Sequence, residues 1–335
     1  MAGTGTTHLR NDVILSVTEL VVEFPARKKQ IVHAVSGVSF DLDEGETLGI
    51  VGESGCGKTT TGRAIMQLES VSSGSIRLNG VDLVTQQGEQ LRQARKAMQM
   101  IFQDPVSSLN PSRRVRDIVR EGIDIWGSTR EGDLDAWVAE VMESVGLGDE
   151  GVADRRPHEF SGGQCQRINI ARALVMEPDV LILDEPVSSL DVSVQAQMLN
   201  LLERLKRQFG LTMLFISHDL AVVKNISDRV MVMYLGKVCE IAETADLYAR
   251  PTHPYSRALL ASIPGNTLGL PPASQLISGE LPSPLDPPSG CRFRTRCPNA
   301  TDVCASTEPE LVEHGPGHWV ACHHPAVTEP LQRFV

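Results

Sequence analysis

Long apolar runs are absent from the sequence, which has no continuous stretch of the roughly 18–20 apolar residues that a membrane-spanning helix needs. If the protein works at a membrane, we expect other chains to supply the spans. Residues 1–12 lack the basic start and the apolar core of a signal peptide, so we expect no export signal. The net charge of −11 argues against nucleic acid as the main partner, because binding to phosphates needs a basic face.

The composition is that of a globular protein with a sizeable core, with 41% hydrophobic and 22% charged residues. Residues 13–24 and 31–40 are rich in β-branched residues and predict strands of an N-terminal β-subdomain. Continuous apolar runs at 180–183, 213–216 and 230–233 alternate with helical patterns. Buried apolar strands alternating with helices predict an α/β fold with a parallel sheet.

The chain divides into a main domain and two C-terminal segments. We predict the main domain over 13–263, with a helical insertion at about 104–178, because apolar residues recur at helical spacing over 115–147. Residues 264–290 contain seven prolines and predict a linker. Residues 291–335 hold four of the seven cysteines and predict a small cysteine-rich extension that binds metal.

A glycine-rich turn follows the apolar run Thr47–Val51 and precedes a predicted helix that starts at Lys58. It fits the pattern G-x-x-x-x-G-K-[ST], whose backbone N–H groups and helix N-terminus hold phosphates. Lys58 is expected to reach the β- and γ-phosphates of a nucleotide, and the Thr59 hydroxyl to bind Mg²⁺. The predicted phosphate-binding residues are Gly52, Glu53, Ser54, Gly55, Cys56, Gly57, Lys58, Thr59 and Thr60.

Two carboxylates end the apolar strand predicted at 180–183. Asp184 is suited to hold Mg²⁺ through water, and Glu185 can polarise the water that attacks the γ-phosphate. Such a pair by itself is often only the solvated end of a strand. Its position, 126 residues after Lys58 and among further signals, favours the catalytic interpretation.

The segment Ser161-Gly162-Gly163-Gln164 lies 23 residues before Asp184 and ahead of a helix predicted over 167–176. A P-loop alone is typical of kinases, GTPases and many ATPases. A P-loop followed by SGGQ and then by LILDEP resembles the ABC ATPases, over roughly residues 13–260. The resemblance implies the P-loop ABC-ATPase fold and an ATP-hydrolysing activity.

Other family elements match by position. Gln103 resembles the glutamine that senses Mg²⁺ and the attacking water, and His218 resembles the histidine that hydrogen-bonds the γ-phosphate. Asp191 lies in the segment that resembles the loop facing the opposite subunit. In the family, the SGGQ groups close over the ATP of the other subunit, which implies a dimer with two interfacial sites. Alternatively, Gln103 is an ordinary loop amide and His218 a helix-capping or core histidine.

Two residues beside SGGQ differ from the commoner family pattern. Phe160 and Cys165 flank SGGQ where leucine and a basic or amide residue are more common, and both variants resemble the peptide-permease branch. The residue that stacks on adenine stays open between Phe24 and His33.

The flanks of the core resemble the oligopeptide/dipeptide permease group, and in particular the second of its two ATPase subunits. The matching segments are 103–111, 250–260, 279–284 and 290–298. This resemblance implies import of di- or oligopeptides from the cytoplasmic face of the cell membrane. The implied partners are a homologous ATPase subunit, two transmembrane permease subunits and an extracytoplasmic solute-binding protein.

The alternatives to peptide import are another cargo, a soluble ABC ATPase and a subunit that does not hydrolyse ATP. Some members of the group carry nickel, haem or another small solute, so the cargo stays open. A soluble ABC ATPase acting on ribosomes or DNA usually has two cassettes, a coiled-coil insertion or a basic surface, and this chain has a single cassette and an acidic balance. A regulatory subunit that binds ATP without hydrolysing it is disfavoured by the presence of Glu185 and His218.

Four cysteines with the spacing C-x5-C-x6-C-x17-C suit an iron–sulfur cluster or a structural zinc ion. Zinc sites favour close C-x2–4-C pairs, and the resembled subunits carry a [4Fe-4S] cluster on a matching tail, so we predict a [4Fe-4S] cluster with zinc as the alternative. The cluster is expected to stabilise a tail that is too small to form a core of its own. The predicted ligands are Cys291, Cys297, Cys304 and Cys322, whereas Cys56, Cys165 and Cys239 are interpreted as packing residues.

Overall fold

The computed structural model describes residues 6–127, 130, 132–263 and 270–326. The chain forms two compact units. The first unit takes its described residues from 1–43, 47–85 and 217–335, and the second from 44–46 and 86–216. Parts of the predicted linker (264–269) and of the predicted extension (327–335) lie outside the described residues.

Strands and α-helices are numbered in chain order. The strands are β1 Leu15–Pro25, β2 Ile31–Leu42, β3 Thr47–Val51, β4 Ser73–Leu78, β5 Val81–Asp82, β6 Met98–Ile101, β7 Val180–Asp184, β8 Thr212–Ile216, β9 Arg229–Tyr234, β10 Lys237–Glu243, β11 Val312–Gly315 and β12 His318–Val320. The helices are α1 Lys58–Ile65, α2 Gly88–Ala94, α3 Val115–Trp126, α4 Leu134–Ser144, α5 Gly162–Leu174, α6 Val192–Phe209, α7 Leu220–Ile226, α8 Thr244–Ala249, α9 Pro254–Ala261, α10 Ala273–Leu276 and α11 Asp302–Ser306.

An antiparallel sheet in the first unit has the strand order β2-β1-β4-β5. Both strands predicted from the β-branched N-terminal segments are present as β1 and β2. Along β1, Leu15, Val17, Leu20 and Val22 are fully buried, as expected for a strand with one face on a core.

Strand β3 lies beside β9 in the first unit, and the two run parallel from the pair Leu48/Arg229 to the pair Val51/Val232. Strands β10, β12 and β11 continue the order from β9 in antiparallel pairs. All five residues of β3 are buried, which explains why this strand is a continuous apolar run. The C-terminal extension therefore adds two strands to the sheet that carries β3.

Strands β8, β7 and β6 of the second unit are parallel and lie in that order. Every residue of β7 and β8 is buried. Helices α3 and α4 occupy the region predicted to be helical, and both pack on α5. Buried parallel strands with packed helices confirm the α/β class predicted from the apolar runs.

Helix α5 begins at Gly162, five residues before the start predicted at residue 167. Two glycines at its start lower the helical propensity of the segment, which is why the pattern hid this turn. The structure compensates with a capping box at Ser161. None of the helices among the described residues is long and apolar enough to cross a membrane.

Candidate nucleotide-binding site

The predicted phosphate loop connects the end of β3 to the start of α1 in the first unit. Its first and last glycines, Gly52 and Gly57, have φ angles of 156° and 102°. A Cβ atom on Gly52 would lie 2.1 Å from the Met233 carbonyl oxygen, and one on Gly57 would lie 2.4 Å from that of Ala34. Only glycine therefore fits at both ends of the loop, where neighbouring strands contact its backbone closely.

Lys58 is nearly buried, with 5% of its surface exposed. Its Nζ atom donates hydrogen bonds to the carbonyl oxygens of Gly52 at 2.7 Å and Glu53 at 3.1 Å. The loop thus holds a cation against its own backbone, a position from which an ammonium group can bind phosphate oxygens. Burial raises the pKa of the Cys56 thiol despite the nearby Lys58 ammonium, in keeping with a packing role for Cys56.

His218 is exposed and follows Ser217, whose N–H donates to the Ile50 carbonyl oxygen of β3 at 3.1 Å. It therefore lies close in sequence to a residue that contacts the strand leading into the phosphate loop. The cap of α7 is formed by Asp219, which accepts a hydrogen bond from the Ala221 N–H at 2.8 Å. The helix-capping and core-histidine interpretations of His218 are therefore wrong.

Asp184 is the last residue of β7 in the second unit, and Glu185 follows it directly. Asp184 is 1% exposed, whereas Glu185 is half-buried and has a φ angle of 49°. The Glu185 N–H donates to the Ile216 carbonyl oxygen at 2.9 Å, which fixes the backbone where the strand ends. Gln103 Nε2 donates to Glu185 Oε2 at 3.3 Å. The structure thus brings together two of the residues predicted to handle the attacking water.

The SGGQ segment forms the first turn of α5. Ser161 Oγ accepts from the Gln164 N–H at 3.4 Å, and Gln164 Oε1 accepts from the Ser161 N–H at 2.9 Å. Ser161, Gly162 and Gln164 are exposed. This arrangement presents a 13-residue helix with its positive end open to solvent, which suits an anion.

Helix α5 also binds the segment that follows Gln103, a link that sequence reasoning missed. Asn169 Nδ2 donates to the Pro105 carbonyl oxygen at 2.8 Å. Arg172 Nη1 donates to the Ser108 carbonyl oxygen at 2.6 Å. The helix that starts with SGGQ therefore supports the loop next to the Gln103–Glu185 pair.

Asp191 is exposed at the start of α6, and its side chain makes no capping hydrogen bond in the part of the chain that the structure describes. The backbone around it is held by Gln195, whose Nε2 donates to the Val187 carbonyl oxygen at 3.1 Å. The Asp191 carboxylate therefore does not cap α6.

Comparisons with known proteins identify this arrangement. Residues 35–188 match the ABC transporter family, and residues 239–304 match the C-terminal region of oligopeptide/dipeptide transporters. The chain is 48% identical over 326 residues to the oligopeptide transport ATP-binding protein AppF of Bacillus subtilis (strain 168), covering 95% of this chain and 99% of AppF. The chain belongs to the ABC transporter family.

Two further comparisons agree with this assignment. The chain is 47% identical over 322 residues to the oligopeptide transport ATP-binding protein OppF of Haemophilus influenzae, covering 93% of this chain and 97% of OppF. The structure is similar to that of CbiO1 from Clostridium perfringens, part of an ABC transporter complex, with a TM-score of 0.61, 28% identity, and 71% and 91% of the two chains covered. The P-loop ABC-ATPase fold predicted from the motifs is confirmed, and the protein is an ABC-type ATPase.

The residues of this ABC ATPase divide between its two units. The phosphate loop and His218 belong to the first unit. Gln103, Asp184, Glu185, the SGGQ segment and Asp191 belong to the second unit. The individual site assignments made from the motifs remain predictions.

Burial raises the pKa values of Cys291, Cys297 and Cys322 in the tail of the ABC subunit, and neighbouring tail cysteines contribute smaller increases. Burial raises the pKa of Cys291 to about 11 and that of Cys322 to about 12, so these thiols are protonated at neutral pH. Among the residues that the structure describes, no group of three or more His, Cys, Asp or Glu side chains is placed to hold a metal ion. The predicted metal-binding character of the extension is therefore not supported by the placement of the described side chains.

Contacts within the protein hold the extension in place, whereas the sequence predicted that a metal would do so. Strand β12 pairs with β10, and the buried Glu240 of β10 lies 2.6 Å from His318 Nε2 of β12. Glu240 also accepts hydrogen bonds from the N–H groups of Thr252 at 2.8 Å and His253 at 2.9 Å. One buried carboxylate thus joins β10, the segment before α9 and the extension.

Two residues bind the phosphate loop that no motif had indicated. Tyr255 Oη accepts a hydrogen bond from the Glu53 N–H at 2.9 Å, and Arg296 binds the Glu53 carboxylate. Both come from the region that matches the oligopeptide/dipeptide transporter C-terminal region. The only signal in the sequence was that both residues fall in segments resembling the peptide-permease group.

Proposed function

We propose that this ABC subunit hydrolyses ATP to power the uptake of di- and oligopeptides through separate membrane subunits. The observation that carries the proposal is the combination of the ABC nucleotide-site motifs with the oligopeptide/dipeptide transporter C-terminal region in one chain. The relatives AppF and OppF are oligopeptide transport ATP-binding proteins, which supports peptide as the cargo.

The predicted residues have distinct roles in the proposed site. The loop from Gly52 to Thr60 would hold the phosphates through backbone N–H groups and Lys58. Thr59, Gln103 and Asp184 would hold Mg²⁺, and their hydroxyl, amide and carboxylate oxygens are the donors this ion prefers. Bound Mg²⁺ would neutralise charge on the phosphate oxygens.

Hydrolysis requires a water molecule positioned in line with the γ-phosphate. Glu185 would accept a proton from this water, and Gln103, already bonded to Glu185, would orient both. His218 would donate a hydrogen bond to the γ-phosphate and stabilise the charge that develops there. The exposed start of α5 at Ser161–Gln164, together with Asp191, would close over the ATP of a second ATPase subunit.

The proposed assembly is a heterodimer with a homologous ATPase at the cytoplasmic face of the membrane. It would include two transmembrane permease subunits and an extracytoplasmic solute-binding protein, with no role for nucleic acid. Within the chain we retain as proposals an ATP-binding domain at 13–263, a linker at 264–290 and an extension at 291–335.

A [4Fe-4S] cluster on the tail belongs to the same proposal, with zinc as the alternative. Four cysteines within one short segment support it, because thiolates are the usual ligands of such clusters. Ligation would need deprotonation of these thiols and movement of their side chains. The proposed ligands are Cys291, Cys297, Cys304 and Cys322.

Anaerobic purification followed by iron, zinc and acid-labile sulfide analysis tests the cluster. We expect about four irons and four sulfides per chain in the wild type and loss of both in Cys297→Ser. The packing cysteine Cys165 offers a matched control, because Cys165→Ser should keep both. Zinc without sulfide would establish the zinc alternative. The absence of both iron and zinc would show that the tail binds neither metal.

Uptake of labelled dipeptides and longer peptides by cells carrying wild type or Glu185→Gln tests the main function. We expect the variant to lose peptide uptake, whereas Glu203→Gln, which changes a half-exposed carboxylate of α6 paired with Arg207, should keep it. Unchanged peptide uptake in Glu185→Gln cells would contradict the peptide assignment. Nickel and haem uptake would then be measured in the same cells.

A further inference from the structure

Glu53, the second residue of the phosphate loop, is bound by a side chain of the C-terminal extension 243 residues away in the sequence. Arg296 Nη1 lies 2.6 Å from Glu53 Oε2, and Arg296 Nη2 lies 3.1 Å from Glu53 Oε1. Two parallel N–H···O bonds of this kind fix both distance and orientation. Arg296 is 8% exposed, whereas the Glu53 side chain is 30% exposed, so the pair is partly shielded from solvent.

Aromatic rings surround this ion pair. Tyr234 packs edge-on against Tyr255, with ring centroids 4.8 Å apart, and against Phe293, with centroids 5.2 Å apart. The Arg296 guanidinium lies 5.8 Å from the Tyr234 ring centroid. These rings come from β9, α9 and the extension, so Arg296 is held by a rigid cluster and not by a free tail.

A second arginine of the same segment, Arg292, contacts residues next to the phosphate loop. Arg292 Nη1 donates to the Leu235 carbonyl oxygen, and its Nη2 donates to Ser36 Oγ at 2.9 Å. Gly236, the next residue after Leu235, donates its N–H to the Cys56 carbonyl oxygen of the phosphate loop at 2.8 Å. The segment between Cys291 and Cys297 therefore supports the loop at two points.

Arg294, which lies between these two arginines, has different partners. Its Nε atom donates to the Ser289 carbonyl oxygen at 2.9 Å, and its Nη2 donates to Ser289 Oγ at 3.3 Å. These contacts are with the end of the linker and not with the phosphate loop. Arg294 therefore provides a matched control of the same type and in the same turn.

The charge arrangement has a consequence for nucleotide binding. The Glu53 carboxylate belongs to the loop that receives the phosphates, and an unpaired carboxylate there would repel a triphosphate. Arg296 neutralises this charge and fixes the conformation of the loop at Glu53. Both effects favour ATP without any contact between Arg296 and the nucleotide.

We propose that Arg296 is a positioning residue for ATP, through which the C-terminal extension holds the phosphate loop in its nucleotide-binding form. This inference rests on the proposed function and adds a regulatory connection to it. Displacement of the segment between Cys291 and Cys297 would release Glu53 and lower the affinity for ATP.

The test measures binding of the fluorescent analogue TNP-ATP with Mg²⁺ to the purified full-length chain. Arg296→Ala should raise the Kd about tenfold, as expected for the loss of a partly buried, two-pronged charge-assisted pair. Arg294→Ala should change it less than about twofold. Arg296→Lys keeps the charge without the two-pronged geometry and should lie between these values. In steady-state assays of the assembled transporter, Arg296→Ala should raise KM for ATP more than it lowers kcat.

A double-mutant cycle separates this role from general stabilisation. In a Glu53→Gln background no carboxylate is left unpaired, so Arg296→Ala should raise the Kd less than about threefold. An equal loss in both backgrounds, or equal Kd values for Arg296→Ala and Arg294→Ala, would overturn the proposal. If Arg296→Ala does not fold, Arg296→Lys is measured in its place. A wild-type Kd for TNP-ATP in Arg296→Lys would likewise overturn the proposal. Wild-type chain that fails to bind TNP-ATP would instead refute the proposed ATPase function.

Discussion

Gln103 and Glu185 are joined by a 3.3 Å hydrogen bond from the amide nitrogen to the carboxylate. They follow β6 and β7, which are adjacent and parallel, so their carboxyl ends meet at one edge of the sheet. The Gln103 side chain is therefore in direct contact with the proposed catalytic carboxylate of Glu185. Movement of the loop after Gln103, which α5 holds through Asn169 and Arg172, would alter this contact.

Glu185→Gln should lower ATP hydrolysis at least about 100-fold, because an amide cannot accept the proton of the attacking water. ATP binding should remain, since the phosphate loop is unchanged. Phosphate release by the assembled transporter measures the first effect, and TNP-ATP binding measures the second. Glu203→Gln, which only breaks an exposed ion pair with Arg207, should keep at least about half of the activity. Hydrolysis by Glu185→Gln at the wild-type rate would remove Glu185 from the mechanism.

Gly57→Ala should destabilise the protein by about 3 kcal/mol, because the new Cβ atom would lie 2.4 Å from the Ala34 carbonyl oxygen at a φ angle of 102°. Gly45 is a matched control, since its φ angle is 71° and a Cβ atom there would meet nothing within 4 Å. Gly45→Ala should therefore cost only about 1 kcal/mol of backbone strain. Urea unfolding of both variants gives the comparison, and equal losses would contradict the close approach at Gly57.

Several elements could be predicted from the sequence because their burial leaves a clear pattern. The run Thr47–Val51 is buried along its whole length, and a strand that is buried on both faces is apolar throughout. The helix from Lys58 follows from the phosphate-loop pattern, whose loop always leads into a helix N-terminus. In these cases the local sequence alone carries the structural information.

Other features depend on partners far away in the chain and leave no local pattern. Strand β12 has only three residues, too few for an alternating pattern to be recognised, and its pairing with β10 decides its structure. The partner of Glu53 lies 243 residues further on, and nothing near Glu53 indicates an arginine. The cysteine spacing therefore predicts metal binding for the extension, whereas contacts with β10 and with the phosphate loop hold it in the structure.

His318→Ala should cost about 2 kcal/mol of stability, since it removes a hydrogen-bond partner from the buried Glu240 carboxylate. The loss should be local at first, so limited proteolysis should cut the extension faster than the rest of the chain. His314→Ala, at an exposed position of β11, should leave both stability and cleavage rate nearly unchanged. Identical proteolysis of the two variants would show that Glu240 does not anchor the extension through His318.

His253 connects stability to pH. Burial lowers the pKa of its ring from 6.5 to about 4, and the opposing effect of Glu240 is smaller. The ring is neutral in the folded protein, where Nδ1 accepts a hydrogen bond from the Tyr255 N–H at 3.0 Å and caps α9. In the unfolded chain the ring takes up a proton near pH 6.5, so acid favours unfolding.

The stabilising contribution of neutral His253 is therefore complete above about pH 6.5 and is lost as the pH falls towards 4. Between pH 7 and pH 4.5 this residue alone should lower the free energy of unfolding by about 2.5 kcal/mol. His253→Asn keeps a capping acceptor but cannot titrate, so its unfolding free energy should fall by that much less over the same interval. Urea unfolding at several pH values measures the slopes, with His314→Asn as the exposed control that should follow the wild type. Parallel slopes for wild type and His253→Asn would mean that the acid sensitivity arises elsewhere, since only the loss of a titrating ring at position 253 separates the two proteins.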